Sequence, residues 1–174
     1  MRIRSETPLP WDAARVALAC RDQLPEIGRY VAGVAAIDTA RRTDGDGGVV
    51  LVHRWRPAAA LPPLVRKVWG ETPCEWEQEV AWTPDARQAR FAVRPPAFAD
   101  AVHATGSWSI APAEAGALLC VDADVRVDIQ ALPGFPRFLV PTLAPPLAAW
   151  LVETIAAPLA AWPAGVARFL EEGA

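Results

Sequence analysis

Lysine is nearly absent from this chain: Lys67 is the single example, and basic residues total 17 against 20 acidic, a formal net charge of −3. The adjacent basic pairs are Arg41-Arg42 and Arg66-Lys67. No basic stripe is present to track a phosphate backbone, so no nucleic-acid partner is expected. Cysteine is scarce too. Cys20, Cys74 and Cys120 are odd in number and far apart, with no CxxC pair, and His53 and His103 lie about fifty residues from each other. Ordinary zinc-ligand spacing is therefore missing, and neither a metal nor a cofactor is expected. The thiols read as free and buried in a reducing compartment. The opening MRIRSETPLP carries charge but no apolar signal core, so the expected location is cytoplasmic. Nucleophile elbow, phosphate-cradling glycine loop and HExxH are all missing as well.

What the chain has is apolar surface to hide. Hydrophobic residues make up 52% of 174 positions and charged residues 21%, enough for one sizeable core and too apolar for disorder. No repeat or linker divides it, so residues 1–174 read as a single domain. The longest apolar run is TLAPPLAAWLVETIAAPLAAWPAGVARFL, Thr142 to Leu170, with Glu153 its one charge before Arg168. Length and polarity alone would allow a membrane span. Its prolines and the lack of a second span favour a core helix instead. That helix is expected from Pro146 to Ala157, with a stripe of Leu147, Trp150, Leu151, Thr154 and Ile155. Pro158 and Pro163 are each expected to kink or break the remainder of the run, at about 3 kcal/mol if a lone helix bore it.

The middle of the chain alternates with period two, the mark of antiparallel strands with one buried and one wet face. In the segment from Glu75 to Thr83, Trp76, Gln78, Val80 and Trp82 share a face with Cys74, opposite Glu75, Glu77 and Glu79. Phe91 and Val93 oppose Arg90 and Arg94, and Ala104, Gly106, Trp108 and Ile110 oppose His103, Thr105, Ser107 and Ser109. Leu119 to Ile129 is the clearest case, with Val121, Ala123, Val125 and Val127 inward and Asp122, Asp124, Arg126 and Asp128 outward. Thr43 to Gly48 is a turn between a strand at Val34 to Ile37 and another at Val49 to Arg56. Met1 to Leu9 alternates weakly and suits a short edge strand at best. Trp11 to Cys20 reads as a helix with Asp12 in its first turn, and Asp22 to Tyr30 as a second, shorter one.

A sheet with one apolar face needs a cover across it. Pro10-Trp11-Asp12-Ala13-Ala14-Arg15-Val16, then Arg21-Asp22, then Tyr30-Val31-Ala32-Gly33-Val34 resembles the helix, turn and second-strand entry of the START-like superfamily, the SRPBCC or polyketide cyclase group. The resemblance implies an α+β helix-grip fold. Its curved antiparallel sheet, of about six to seven strands, would wrap around a long kinked C-terminal helix, with two short N-terminal helices and a cavity between sheet and helix. The superfamily shares no catalytic signature, so no functional residue is carried over.

Strand parity then supplies candidate ligand-binding residues: Trp55, Trp76, Gln78, Val80, Trp82, Phe91, Trp108 and Val125 from the sheet. Trp150, Leu151 and Ile155 would face them from the helix. Several tryptophans on one concave face can wall a pocket for a flat or apolar ligand, and can equally be an ordinary aromatic core. His53 shares parity with Val49, Leu51 and Trp55, and is the one candidate for acid–base work. The rows Glu75-Glu77-Glu79 and Asp122-Asp124-Asp128 read as a solvated outer face paired with Arg90, Arg94 and Arg126. These features leave three functions open. The first is binding, transport or sequestration of a lipid-like or aromatic small molecule. The second is a cyclase- or dehydratase-type enzyme in the same cavity. The third is a peripheral membrane or partner-binding module that uses Leu132 to Pro146. Any membrane contact is expected to be at most peripheral, and no oligomeric state can be read from the residues.

Overall fold

The computed structural model describes residues 1–63, 66–67, 75–96, 101–128, 138 and 140–173. The chain forms β1 (Arg2–Leu9), α1 (Ala13–Asp22), α2 (Leu24–Gly28), β2 (Val34–Gly45), β3 (Gly48–Pro57), β4 (Trp76–Trp82), β5 (Gln88–Arg94), β6 (Val102–Ala113), β7 (Gly116–Val127) and α3 (Val140–Glu172). The strands make one antiparallel sheet in the order β1-β7-β6-β5-β4-β3-β2. From β2 to β7 each strand pairs with the next along the chain, and β1 closes the far edge on β7. The sheet curves around α3, with α1 and α2 spanning the gap between β1 and β2. This is the helix-grip arrangement. Cys74, Ile129 and, within Leu132 to Pro146, residues 132–137 and 139 fall outside the described residues.

Two expectations are corrected at the chain's ends. β1 is a full eight-residue strand, paired residue by residue from Arg2↔Asp124 to Leu9↔Ala117. Its weak hydrophobic signal has a physical cause. As an edge strand it is covered on one face only, by Ile3 and Leu9, while Arg2 and Arg4 reach across the outer face to Asp122, each at 2.9 Å. The helix at the other end begins at Val140, ahead of Pro146, and runs on through Pro158 and Pro163 to Glu172. Proline removes one helical donor and crowds the preceding turn. Here packing against the sheet outweighs that local cost, as tertiary contacts routinely override propensity.

The helix is set down closely at the α2–β2 corner. A Cβ on Gly165 would lie 2.6 Å from Val31 Cγ2, so only glycine lets α3 approach there. Next to it the Tyr30 hydroxyl donates to Glu172 at 2.6 Å, and the Tyr30 and Phe169 rings lie 6.2 Å apart. At the start of α1, Asp12 is the cap and stands outside the first turn. Its carboxylate accepts from the Ala14 and Arg15 amides at 2.8 and 3.4 Å. Asp22, at that helix's end, accepts from Arg42 of β2 at 2.9 Å and so ties the long hairpin back to α1.

The two sheet faces divide the chemistry. Outside, Arg54 lies 3.7 Å from Glu75 and 3.8 Å from Glu77, Arg41 lies 3.8 Å from Glu79, and Arg126 lies 2.7 Å from Asp124. The carboxylate rows are thus a solvated face, as expected, but their partners differ. Arg2, Arg4, Arg41, Arg54 and Arg56 hold them beside Arg126, and among the described residues Arg90 and Arg94 hold none. Hydrogen bonds from Arg2 and then Arg4 pull the Asp122 carboxyl down to about 2. Such exposed pairs contribute little stability.

Inside, one continuous apolar core runs from Leu9 to Leu170. Size alternates across it. Val80, Phe91, Gly106, Ala123 and Ile3 form one cross-strand row, and Trp82, Ala89, Trp108 and Val121 form the next. The small members give the rings room. A Cβ on Gly106 would sit 2.5 Å from Phe91 Cζ and 2.6 Å from the Asp122 carbonyl oxygen, a backbone atom that cannot swing aside. Gly106→Ala is therefore expected to destabilise the protein by about 1–3 kcal/mol, as overpacking does. A urea titration checks this, and an unchanged midpoint would show that the Phe91 contact is not tight.

Candidate functional site

The described buried residues include three polar ones, His53, Gln78 and Thr154. Any polar chemistry on the concave face starts from these. Thr154 is accounted for: its hydroxyl donates to the Trp150 carbonyl at 2.8 Å, within its own helix. His53 on β3 stands opposite Thr39 on β2 and Gln78 on β4. Its Nδ1 lies 3.2 Å from the Thr39 hydroxyl, and burial pushes its pKa down to about 4. The imidazole is neutral at pH 7.

Gln78 is fully buried, and its Oε1 accepts from the Trp55 indole N–H at 3.0 Å. An indole only donates, so that bond fixes which end of the amide is oxygen. Among the described residues the Nε2 amino group then has no partner. Buried polar groups are nearly always satisfied, and an orphan donor costs about 1–3 kcal/mol. Gln78 faces a small gap of about 10 Å³ under α3, walled by Trp55, Trp76, Val93, Ile155, Pro158 and Leu159. That space is about one water molecule.

The rest of the expected cavity is filled by the protein's own rings. Trp76 stacks on Trp55 at 6.4 Å, Trp55 meets Trp162 at 6.4 Å, and Trp162 stacks on Trp108 at 5.4 Å and 12°. Trp108 continues to Trp82 at 5.7 Å and to Phe91 at 5.0 Å. The indole N–H groups of Trp82, Trp108 and Trp162 are buried without an acceptor among the described residues, like the Gln78 amide. Of the residues singled out by parity, Trp55, Trp76, Gln78 and Ile155 meet at the gap. Trp82, Phe91 and Trp108 lie along the ring chain, and Val80, Val125, Trp150 and Leu151 are buried elsewhere in the same core. His53 is adjacent to Gln78 but does not line the gap. Val127, at the end of β7, is only partly buried.

Trp162, Pro158 and Leu159 were missed by sequence reasoning. The signal was present: Leu147, Leu151, Ile155, Leu159, Trp162, Val166 and Leu170 fall at steps of three and four and are all buried. Reading the prolines as breaks cut that stripe after Ile155. By length and hydropathy the segment Ala144–Glu172 would pass for a membrane span, at mean hydropathy 1.3. In the structure it is the helix that fills the sheet. Among the described residues no group of three His, Cys, Asp or Glu side chains is placed to hold a metal ion. Cys20 is buried and its thiol is pushed up to about 12 by burial, whereas Cys120 is only half-buried on the outer face.

The family whose model matches is described as a protein of unknown function, DUF2505, and the match spans residues 3–134. The chain belongs to the DUF2505 family. No curated protein matches it. Among solved structures, the TTHA0849 protein from Thermus thermophilus is similar at a TM-score of 0.65 and 16% identity, covering 100% of this chain and 99% of that one. The Zhui aromatase/cyclase from Streptomyces sp. R1128 is similar at 0.64 and 14%, covering 100% and 96%. The di-domain aromatase/cyclase StfQ of the steffimycin biosynthetic pathway matches at 0.62 and 10%, covering 99% of this chain and 51% of that one. At such identities the likeness shows the fold: the helix-grip fold of polyketide cyclase-like proteins.

The buried histidine sets a pH dependence. Its folded pKa of about 4 lies below the ordinary 6.5, so between those values the unfolded chain binds the extra proton. The stability is fully present above pH 6.5 and declines as pH falls towards 4. Between pH 7 and pH 5 the wild type is expected to lose about 2 kcal/mol that His53→Gln does not lose. Urea midpoints of both proteins at the two pH values check this, and parallel declines would remove His53 as the cause.

Proposed function

We propose that this protein binds a lipid-like or aromatic small molecule between the concave face of the sheet and α3, to carry or sequester it. The observation behind this reading is the Gln78 amide, fully buried, held in orientation by Trp55, and left with an unanswered donor at a gap in the core. A purely structural core would do better with an apolar residue there, since a half-satisfied polar group is worse than none. The gap of about 10 Å³ is too small for such a ligand, so binding requires α3 or the indoles to move aside. The missing hydrogen bonds favour that motion. Turning Trp162 or Trp108 breaks no polar contact, and a ligand that answers a donor recovers part of its desolvation cost.

The likeness to aromatase/cyclase structures supports a second reading, in which the same space holds a substrate for a cyclase- or dehydratase-type reaction. His53 would then be the proton-transfer group, neutral at pH 7 and next to Gln78 in register. Its place outside the lining of the gap weighs towards binding without chemistry.

Native mass spectrometry of gently purified protein tests the proposal. The expected result is a retained apolar molecule, released on denaturation. Protein that carries only its own mass, and whose tryptophan emission ignores added hydrophobic probes, would refute it. Return of the released molecule to ligand-free protein separates the two readings. Recovery unchanged supports binding, and recovery with loss of water or a new ring supports the enzyme.

A further inference from the structure

We infer that the Trp162 indole is a displaceable occupant of the concave site, and that the ligand taking its place is a flat aromatic of about indole size. The inference rests on the binding reading above and gives it a chemical class. Trp162 is fully buried, yet it sits in the core as a bound ring would. It stacks on Trp108 at 5.4 Å and 12°, and meets Trp55 at 6.4 Å and 56°. The space it fills is therefore flat and one indole in extent, with an aromatic wall on β6 and another on β3. When Trp162 leaves, that space opens and joins the small gap beside it.

Two observations separate Trp162 from the tryptophans of the sheet. Its indole N–H has no acceptor among the described residues, whereas Trp55 is bonded to Gln78 at 3.0 Å. Turning Trp162 outward breaks no side-chain hydrogen bond and returns a buried donor to water. The second difference lies in the backbone. Trp55, Trp76, Trp82 and Trp108 stand on strands paired on both sides. Trp162 stands in a helix directly before Pro163, and a following proline disfavours the helical conformation that it holds. Pro158 and Pro163 also lack the amide donors that the carbonyls of Thr154 and Leu159 would bond in an uninterrupted helix. Bending α3 there breaks few backbone bonds.

The surroundings suit such a bend. Beyond Pro163 the helix is fixed, by the close approach of Gly165 to Val31 and by the Tyr30 hydroxyl on Glu172 at 2.6 Å. Before it, the gap of about 10 Å³ lies against Pro158 and Leu159, one turn from Trp162, and gives the first movement room. What replaces the indole must also restore its contacts. A flat aromatic recovers the stack on Trp108 and the tilted contact with Trp55, a gain beyond the area buried. A globular apolar molecule of equal carbon count recovers burial alone, and should bind about five-fold more weakly.

2-Naphthol and 1-adamantanol each carry ten carbons and one hydroxyl, the first flat and the second globular. The full-length protein, labelled with nitrogen-15 at its eight tryptophans, is titrated with each, and Trp162→Phe identifies the Trp162 indole resonance. The expected result is 2-naphthol at least about five-fold tighter, with the Trp162 resonance moving as it binds. Trp162→Ala leaves the space open, so 2-naphthol should bind it about ten-fold or more tighter than the wild type. If that variant fails to fold, Trp162→Leu takes its place, with a gain in the same direction. A Trp162 resonance that ignores bound 2-naphthol, or equal binding of the two probes, overturns the inference. Binding by the alanine or leucine variant alone shows a ring that does not leave, and overturns it too. Failure of both probes on every form does the same. In each of these cases a molecule retained in native mass spectrometry keeps the binding reading standing, and its absence removes both.

Discussion

The contact on which this structure depends is the seat of Trp162 on the sheet. It projects from the middle of α3, stacks on Trp108 of β6 at 5.4 Å and meets Trp55 of β3 at 6.4 Å. Those partners come from strands three places apart in the sheet, so one side chain joins the two halves of the concave face through the helix. Buried aromatics of this size dominate core energetics. Without a helix at that position, Trp55, Trp82, Phe91 and Trp108 would lie open on one face of the sheet. The long helix is accordingly continuous through residues that would break it in isolation.

That same seat leaves the functional feature. Packing large rigid rings against a curved sheet fills most of the space but cannot satisfy every polar edge. Indoles present their N–H at the rim of a flat body, and the surfaces around them here are apolar. The result is a core rich in buried donors, with one amide held in orientation at a small gap under α3. Stability is given up at those atoms. The sheet's outer face makes the contrast: its carboxylates and guanidiniums are paired, solvated and free to rearrange, and carry no comparable constraint.

The neutral His53 fits the same pattern. Like Gln78, it is a polar residue on the concave side of the sheet whose protonation or hydrogen bonding is set by burial and by its strand neighbours. Thr39, at the exposed edge strand, gives it one partner and anchors it at the border of the core. It thus couples the protein's stability to pH whether or not any proton is moved for a substrate.

Strand parity alone was enough to place Trp55, Trp76, Gln78, Phe91, Trp108 and Val125 on one face, because period two survives wherever a sheet has a wet side. The helix-grip layering was also legible, from the order of elements and the length of the closing apolar run. Three matters were settled only by the tertiary structure. Edge strand β1 has too little buried surface to show a pattern of its own, and its register appears only through β7. The unbroken course of α3 through Pro158 and Pro163 depends on contacts made with the sheet, which no local propensity contains. And whether tryptophans on a concave face wall an open pocket or fill it is a question of which ring meets which. Composition supplied the rings, and the placement of Trp162 between Trp55 and Trp108 decided that they pack.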